Sequence, residues 1–171
     1  MRIAKDLGRL AFSTGGAAVG IGLAMWLADP PSEPLLLASL GGSAVFLFGM
    51  TRMPAAQPRA LFGGHLGGAL IGILCYQFFG DALWVYMLSV VLTLAYMLAT
   101  KTVHPPAGAN PLIMLHMHAG VAALWQPVGL AVLTLAAVAA VWSRLVPGHV
   151  RYPVEWGVRS PPSMFWGGWN E

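Results

Sequence analysis

The segment 103–112 reads Val-His-Pro-Pro-Ala-Gly-Ala-Asn-Pro-Leu. It lies between two apolar stretches of a strongly hydrophobic chain. Its three prolines and its glycine prevent a continuous helix, because proline lacks an amide hydrogen and clashes with the preceding turn. In a bilayer, broken backbone is tolerated only where it is packed inside protein or lines a water-filled cavity. The stretch therefore indicates a solute pathway rather than a simple anchor.

The composition is that of a polytopic membrane protein. The chain has 171 residues, of which 57% are hydrophobic and 9% are charged, whereas soluble domains carry about 25% charged residues. The nine lysines and arginines are scattered at the ends of apolar stretches instead of sharing one face. That distribution argues against nucleic-acid binding and for membrane topology signals. Cys75 is the one cysteine, so it forms no internal disulfide.

Six apolar stretches predict an all-α membrane protein. Four of them approach the roughly 20 residues that span a bilayer, and two are short. We expect four full transmembrane helices plus two short, Pro/Gly-interrupted or re-entrant helices. The six stretches are 10–28, 35–50, 61–79, 82–100, 111–119 and 123–146. Residues 1–146 would form the transmembrane domain, and residues 147–171 a cytoplasmic or interfacial tail with three tryptophans, Trp156, Trp166 and Trp169.

The basic residues predict an orientation in which both termini are cytoplasmic. The positive-inside rule places basic clusters on that side of the membrane. The clusters lie in residues 2–9, 52–59, 101 and 144–159, which leaves Asp29, Glu33 and Asp81 outside. The first apolar stretch is too long for a cleaved signal, and no transit peptide is recognisable. We expect a multi-pass protein of a bacterial inner membrane.

An internal repeat is also predicted. Residues 29–37 and 104–113 both contain Pro-Pro, a short polar gap and Pro-Leu, and each is followed by Gln-Pro and a long apolar stretch. The predicted architecture is an inverted three-plus-three repeat, a pattern typical of transport sites. Two half-helices that begin inside the membrane would direct positive dipole ends to its centre. Asn110 is expected to cap the second short helix.

The candidate pathway residues are polar or backbone-exposing residues in apolar surroundings. His65 and Arg59 would supply positive field, although a neutral, carbonyl-bonded histidine and a membrane anchor are the alternative interpretations. Small residues in the first short helix could instead serve helix packing. The candidates are His104, Pro105, Pro106, Gly108, Asn110, Ser39, Gly41, Gly42, Ser43, Gln57, Arg59 and His65.

Neither a metal nor an organic cofactor is expected. His116 and His118 stand two apart, so on a helix they diverge by about 200° and cannot chelate one ion together. No motif of a nucleophilic, redox or carboxylate-pair enzyme is present. We expect a protein that is not an enzyme.

Four motifs, in order, resemble the HPP family of integral membrane proteins. Members of that family are described with four membrane helices, and some plastid and cyanobacterial members are associated with nitrite transport. The resemblance implies fold and class more firmly than substrate. The motifs are Ala38-Ser39-Leu40-Gly41-Gly42-Ser43-Ala44, Ala56-Gln57-Pro58-Arg59, Gly63-Gly64-His65-Leu66 and Thr102-Val103-His104-Pro105-Pro106-Ala107-Gly108-Ala109.

The expected function is passive passage of a small inorganic anion, with nitrite as the leading candidate. The alternatives are a channel for small neutral solutes and a membrane scaffold or subunit without transport. The partners would be the anion and the lipid bilayer. A chain this small shields little pathway from lipid, so a homo-oligomer is expected.

Overall fold

The computed structural model describes residues 2–28 and 35–162, in which every extended regular element is helical. Two π-helical turns, Val45–Gly49 and Trp125–Gly129, and three 3-10 turns, Pro54–Ala56, Pro105–Ala109 and Val121–Leu124, join or extend the α-helices. The α-helices are α1 (Arg2–Ala28), α2 (Leu35–Ala44), α3 (Pro58–Phe79), α4 (Leu83–Thr100), α5 (Asn110–His116) and α6 (Leu130–Trp142).

Four segments are long and apolar enough to cross a membrane: Lys5–Ala28, Pro58–Phe79, Leu83–Thr100 and Val121–Trp142. The prediction of four spanning segments plus shorter helices is therefore confirmed. The first short segment is α2 with its π-helical extension, and the second is α5, which has 7 residues.

The last spanning segment differs from the continuous helix predicted over residues 123–146. Gln126 has φ −133° and ψ 118°, so the backbone is extended where Pro127 follows. Proline disfavours the helical conformation of the residue before it, which explains the break. The regular helix α6 starts at Leu130 and ends at Trp142, four residues before the predicted end.

Helix α4 shows how the bundle meets lipid. Its buried residues are Val85, Ser89, Thr93 and Met97, one every four positions, so they form a single narrow stripe. Most of its remaining apolar side chains, such as Leu83, are exposed at the surface of the chain, where lipid or another subunit would cover them in a membrane. Helix α3 instead buries residues on several faces and lies at the centre of the fold.

Helices α1 and α6 pack closely through glycines. A methyl group added to Gly16 would lie 2.7 Å from the Trp142 indole, and one added to Gly20 would lie 2.9 Å from Leu135. Trp142 also donates from Nε1 to the Phe12 carbonyl at 2.9 Å. Small residues at such contacts let two helices approach, which is a common device in membrane proteins.

One end of the bundle carries the pair Asp81 and His118, with 2.9 Å between Oδ2 and Nε2. This hydrogen bond holds the pKa of the Asp81 carboxyl below its usual value. His118 also stacks on Tyr76, with ring centroids 4.6 Å apart.

Parts of the sequence predictions lie outside the described residues. These are the first Pro-Pro pair with Asp29 and Glu33, and the tail residues Trp166 and Trp169. The inverted three-plus-three repeat accordingly stays a prediction.

Candidate functional site

A glycine stripe on α3 brings the broken segment of residues 102–111 into the interior. Gly64, Gly68 and Gly72 recur every four residues, so they lie on one face of the helix. A methyl group added to Gly64 would lie 3.1 Å from His104 Cβ, and one added to Gly72 would lie 2.6 Å from Pro111 Cα. The absence of side chains along this stripe is what allows irregular backbone to pack directly against the helix.

Helix α2 covers the opposite side of the broken segment. A methyl group added to Gly42 would lie 2.9 Å from Pro106 Cβ, so this glycine and this proline are in close contact. His104 and Asn110 are thereby held between α2 and α3.

Five buried polar side chains meet at this contact. Each has at most 1% of its surface exposed, and none is a carboxylate, lysine or arginine. The sequence separations between hydrogen-bonded members reach 71 residues, so the cluster exists only in the folded chain. Its members are Ser39 and Ser43 of α2, His65 of α3, His104 before the 3-10 turn and Asn110 at the start of α5.

The protonation of His104 follows from its partners. Its Nδ1 lies 2.6 Å from the Ala55 carbonyl oxygen, which can only accept, so Nδ1 carries the hydrogen and donates. Nε2 of the neutral ring is then an acceptor, and the Ser43 hydroxyl lies 2.8 Å from it. Ser43 is also 2.9 Å from the Ser39 carbonyl, a second acceptor for the same hydroxyl hydrogen.

The protonation of His65 follows in the same way from Asn110. Asn110 Nδ2 lies 3.0 Å from the His65 carbonyl oxygen, which identifies this atom as the amide nitrogen. The same Nδ2 lies 3.0 Å from His65 Nδ1, so Nδ1 accepts and the ring hydrogen is on Nε2. That Nε2 donates to Ser43 Oγ at 2.8 Å, and Ser39 Oγ donates to Asn110 Oδ1 at 2.7 Å.

Asn110 does not cap α5, contrary to the sequence prediction. It has helical φ −58° and ψ −42°, and the capping position is occupied by Ala109 without a side-chain bond. The helical path already begins with the 3-10 turn at Pro105, for which His104 is the extended capping residue. The two prolines occupy the first positions of that turn, where a missing amide hydrogen costs nothing. The Asn110 side chain is therefore free to bond across to α3.

The other candidate pathway residues surround the cluster or lie apart from it. Pro105 is exposed, and Gly41 and Gly108 adjoin open space. Arg59 is exposed and donates to the Thr100 carbonyl at 2.8 Å, so it ties α3 to the end of α4 outside the cluster.

Gln57 fixes the loop before α3 and the C-terminal tail together. It is buried and donates from Nε2 to the carbonyls of Thr51 and Met53, at 2.7 and 3.2 Å. Its Oε1 accepts from the backbone amides of Val154 and Glu155, at 2.8 and 3.2 Å.

A second clamp holds the tail at the broken segment. Ser160 donates its amide to the Lys101 carbonyl at 3.0 Å and its hydroxyl to the Val103 carbonyl at 2.7 Å. Its own carbonyl accepts from the Val103 amide at 2.8 Å. Sequence reasoning missed this packing of the tail, because such backbone pairing has no hydrophobic periodicity to reveal it.

A basic cavity of about 1060 Å³ lies at the end of the bundle near these clamps. Lys5, Arg9 and Arg52 line it, and no carboxylate is among its lining residues. Met53, which also lines it, is two positions from Ala55, the acceptor of His104. The cavity and the His104 side of the cluster are therefore at the same end.

Within residues 2–28 and 35–162, no group of three or more histidines, cysteines or carboxylates is close enough to hold a metal ion. The described donors of the cluster are hydroxyl, amide and imidazole groups. Such a set suits hydrogen bonding to a small polar solute.

Comparisons with known proteins agree with the resemblance noted in the sequence. Two transmembrane proteins of Dictyostelium discoideum are similar: one is 32% identical over 129 residues, the other 36% identical over 83 residues. The matches cover 71% and 46% of this chain, and the chain spans only 41% and 29% of those relatives. No solved structure matches. A family profile described as the HPP transmembrane region matches residues 3–153, a range that contains the whole buried cluster. The chain, a multi-pass integral membrane protein, therefore belongs to the HPP family.

Proposed function

We propose that this protein is a passive transporter or channel for a small inorganic anion, with nitrite as the leading candidate. The observation that carries the proposal is the buried cluster of Ser39, Ser43, His65, His104 and Asn110. A buried polar network that spans three separate segments is costly to maintain in a membrane protein, and such groups mark pathways. Because its members bond mainly to one another, a solute that enters replaces bonds within the cluster.

The chemistry of the cluster favours an anion over a cation. It offers two hydroxyl groups, an amide and two imidazole N–H groups as donors, and it contains no carboxylate that would repel an anion. The basic cavity supports the same choice, since Lys5 and Arg52 raise the local concentration of anions, whereas the charge of Arg9 is partly offset by Asp6 at 3.7 Å. Nitrite itself is suggested by the association of some family members with its transport.

A channel for small neutral solutes is the second candidate. The observation that favours it is the composition of the cluster, which contains no carboxylate, lysine or arginine. A membrane scaffold that acts through its tail is a third candidate. The exposed Trp156 side chain of the tail is the observation that favours it.

The orientation is also a proposal. Basic residues of four segments meet at the end that carries the cavity and the tail clamps, whereas Asp81 lies at the other end. The positive-inside rule then makes the cavity end cytoplasmic. We propose the inner membrane of a bacterium as its location and a homo-oligomer as its working form, because one small chain shields little pathway from lipid.

Flux into liposomes tests the proposal. The purified protein would be reconstituted and tested with nitrite, nitrate, formate, chloride and urea, with protein-free liposomes as the background. We expect nitrite uptake above that background, and a strong decrease in His104→Ala. His118→Ala is the matched control, since that histidine lies at the opposite end and pairs with Asp81.

The three candidate functions give different results in this assay. Uptake of urea without any anion would support the neutral-solute channel, and no uptake of any solute would support the scaffold. Full nitrite uptake by correctly folded His104→Ala protein would remove the cluster from the pathway.

A further inference from the structure

The hydrogen bonds of the cluster form a chain in which every bond runs the same way when the Ser43 hydrogen points to His104. Asn110 donates to His65, His65 donates to Ser43, and His104 donates to the Ala55 carbonyl. The one hydroxyl hydrogen of Ser43 has two acceptors, His104 Nε2 and the Ser39 carbonyl. Backbone carbonyls fix this direction at both ends, since Ala55 and His65 each present an oxygen that can only accept. Ser43 is thus a hydroxyl bridge between two imidazole rings whose Nε2 atoms both lie 2.8 Å from its oxygen.

This arrangement disfavours a second proton on His65. A proton on His65 Nδ1 would face the Asn110 amide hydrogen. An anion that accepts hydrogen bonds from Asn110 or Ser39 would take these donors away from His65 Nδ1, so that this nitrogen could bind a proton. The anion would also stabilise the positive charge that the proton adds. Anion binding and proton binding at this place therefore favour each other, and such a coupling is reciprocal.

Two basic residues stand close in sequence to the histidines of the cluster. On α3, the nearest arginine in sequence is Arg59, which is exposed and bonded to Thr100. Before the broken segment stands Lys101, whose carbonyl joins the tail clamp. Helix α2 faces His65 with Ser39 and Ser43, and the broken segment faces it with His104 and Asn110. The two histidines are the titratable members of the cluster.

We propose that the His65–Ser43–His104 chain carries a proton together with each anion, so that transport is electroneutral. This inference rests on the proposed function. Moving an unpaired charge through the membrane interior is expensive, and an accompanying proton removes that cost.

The relay step conserves atoms and electrons. A proton binds to His65 Nδ1, and the Nε2–H bond of His65 breaks as a new O–H bond forms on Ser43. The former O–H bond of Ser43 breaks as an N–H bond forms on His104 Nε2. The positive charge has then moved from His65 to His104, Ser43 is again a neutral hydroxyl, and no oxidant or reductant takes part.

The test measures protons and nitrite in the same liposomes. The vesicles would hold a pH-sensitive dye, and a potassium gradient with an ionophore would set the membrane voltage. Diffusion of nitrous acid in protein-free vesicles would be subtracted. We expect one proton to enter with each nitrite, at a rate that imposed voltage does not change.

Variants separate the relay from a merely structural role. Ser43→Ala removes the bridge and is expected to lower coupled uptake by about tenfold or more, whereas Ser43→Thr keeps the hydroxyl and is expected to restore it. Ser39→Ala removes a donor to Asn110 that is not part of the relay. It is expected to slow uptake and yet keep the ratio of one proton for each nitrite.

The outcomes distinguish a failure of the proton relay from a failure of anion transport itself. Nitrite uptake that is driven by voltage without entry of protons would overturn the relay and leave anion transport standing. Absence of anion uptake would overturn both. Unchanged coupling in folded Ser43→Ala would also overturn the relay, because no other hydroxyl lies within 3 Å of both rings in the described chain.

Discussion

Ser43 is the residue on which the buried cluster depends most. It is the common partner of both imidazole rings, and its removal leaves the His65 Nε2–H without an acceptor and His104 Nε2 without a donor. A buried polar group that loses its partner is costly, because no water molecule takes the place of that partner. Ser89 is a suitable comparison, since it is equally buried but, among the described residues, its hydroxyl bonds only to the Tyr86 carbonyl of its own helix.

Ser43→Ala is therefore expected to lower the free energy of unfolding by about 1–3 kcal/mol. Ser89→Ala is expected to change it by about 0.5 kcal/mol or less, because the carbonyl it leaves is already bonded within the helix. Denaturant titrations of both variants in detergent would measure the difference. Equal losses for the two substitutions would mean that the cluster adds no stability of its own.

At this scale the sequence singles out the members of the cluster as pathway candidates, but it does not predict that they bond to one another. Ser39, Ser43, His65, His104 and Asn110 are polar residues in apolar surroundings. The sequence predicts Asn110 as a cap because Pro111 resembles a first helical residue, but the preceding 3-10 turn already starts the helix. Which atoms bond depends on three segments that meet only in the folded chain, and a local pattern contains no such information.

The glycine stripe of α3 is the element that makes an irregular interior possible. Among the glycines that contact backbone atoms, Gly72 leaves the least room for a side chain. A methyl group added there would lie 2.6 Å from both the Cα and the carbonyl oxygen of Pro111. Gly22 of α1 is a helical glycine with nothing within 4 Å of such a methyl group.

Gly72→Ala is expected to destabilise the protein by about 1–3 kcal/mol, because the backbone of α5 must shift. Gly22→Ala is expected to be neutral or to stabilise it by up to about 1 kcal/mol, since alanine is the better helix former. Thermal unfolding in detergent would compare the two. A Gly72→Ala protein as stable as the parent would show that α5 can move away from α3 without cost.

The glycines next to His65 let two elements approach α3. Gly64 faces the broken segment at His104, and Gly67 faces Tyr96 of α4. The regular helix of the last spanning segment is shorter than the apolar stretch predicts. Pro127 breaks the helix at Gln126, which has extended backbone.

The whole molecule has two chemically different ends. Arg52 lines the basic cavity at one end, and Asp81 pairs with His118 at the other. Cysteine labelling in a Cys75→Ala background would test which end is cytoplasmic. An impermeant thiol reagent added to intact cells is expected to label Asp81→Cys and not Arg52→Cys, and both are expected to react after permeabilisation. Labelling of Arg52→Cys alone in intact cells would reverse the orientation.

Gln57 and Ser160 hold the tail at the cavity end, together with the bonds of Tyr152 to Ser143 and Arg144. Gln57→Ala removes the acceptor of the Val154 and Glu155 amides, so residues 150–162 are expected to become more sensitive to protease and to exchange amide hydrogens faster. Gln126→Ala is the matched control, because that residue bonds to Ala28 at the other end. Hydrogen exchange with mass spectrometry would follow both, and equal protection in the two variants would show that Gln57 does not hold the tail.

The order of the cluster residues along the chain also affects how the protein inserts into the bilayer during its synthesis. Ser39 and Ser43 precede His65 by 26 and 22 residues, so both hydroxyl groups have been synthesised when α3 emerges. Asn110 follows 45 residues later. The polar side chain of α3 can thus enter the lipid already bonded to the helix made before it, and α2 with α3 can insert as one hairpin. The later segments then complete the cluster around His65, which is already hydrogen-bonded to α2.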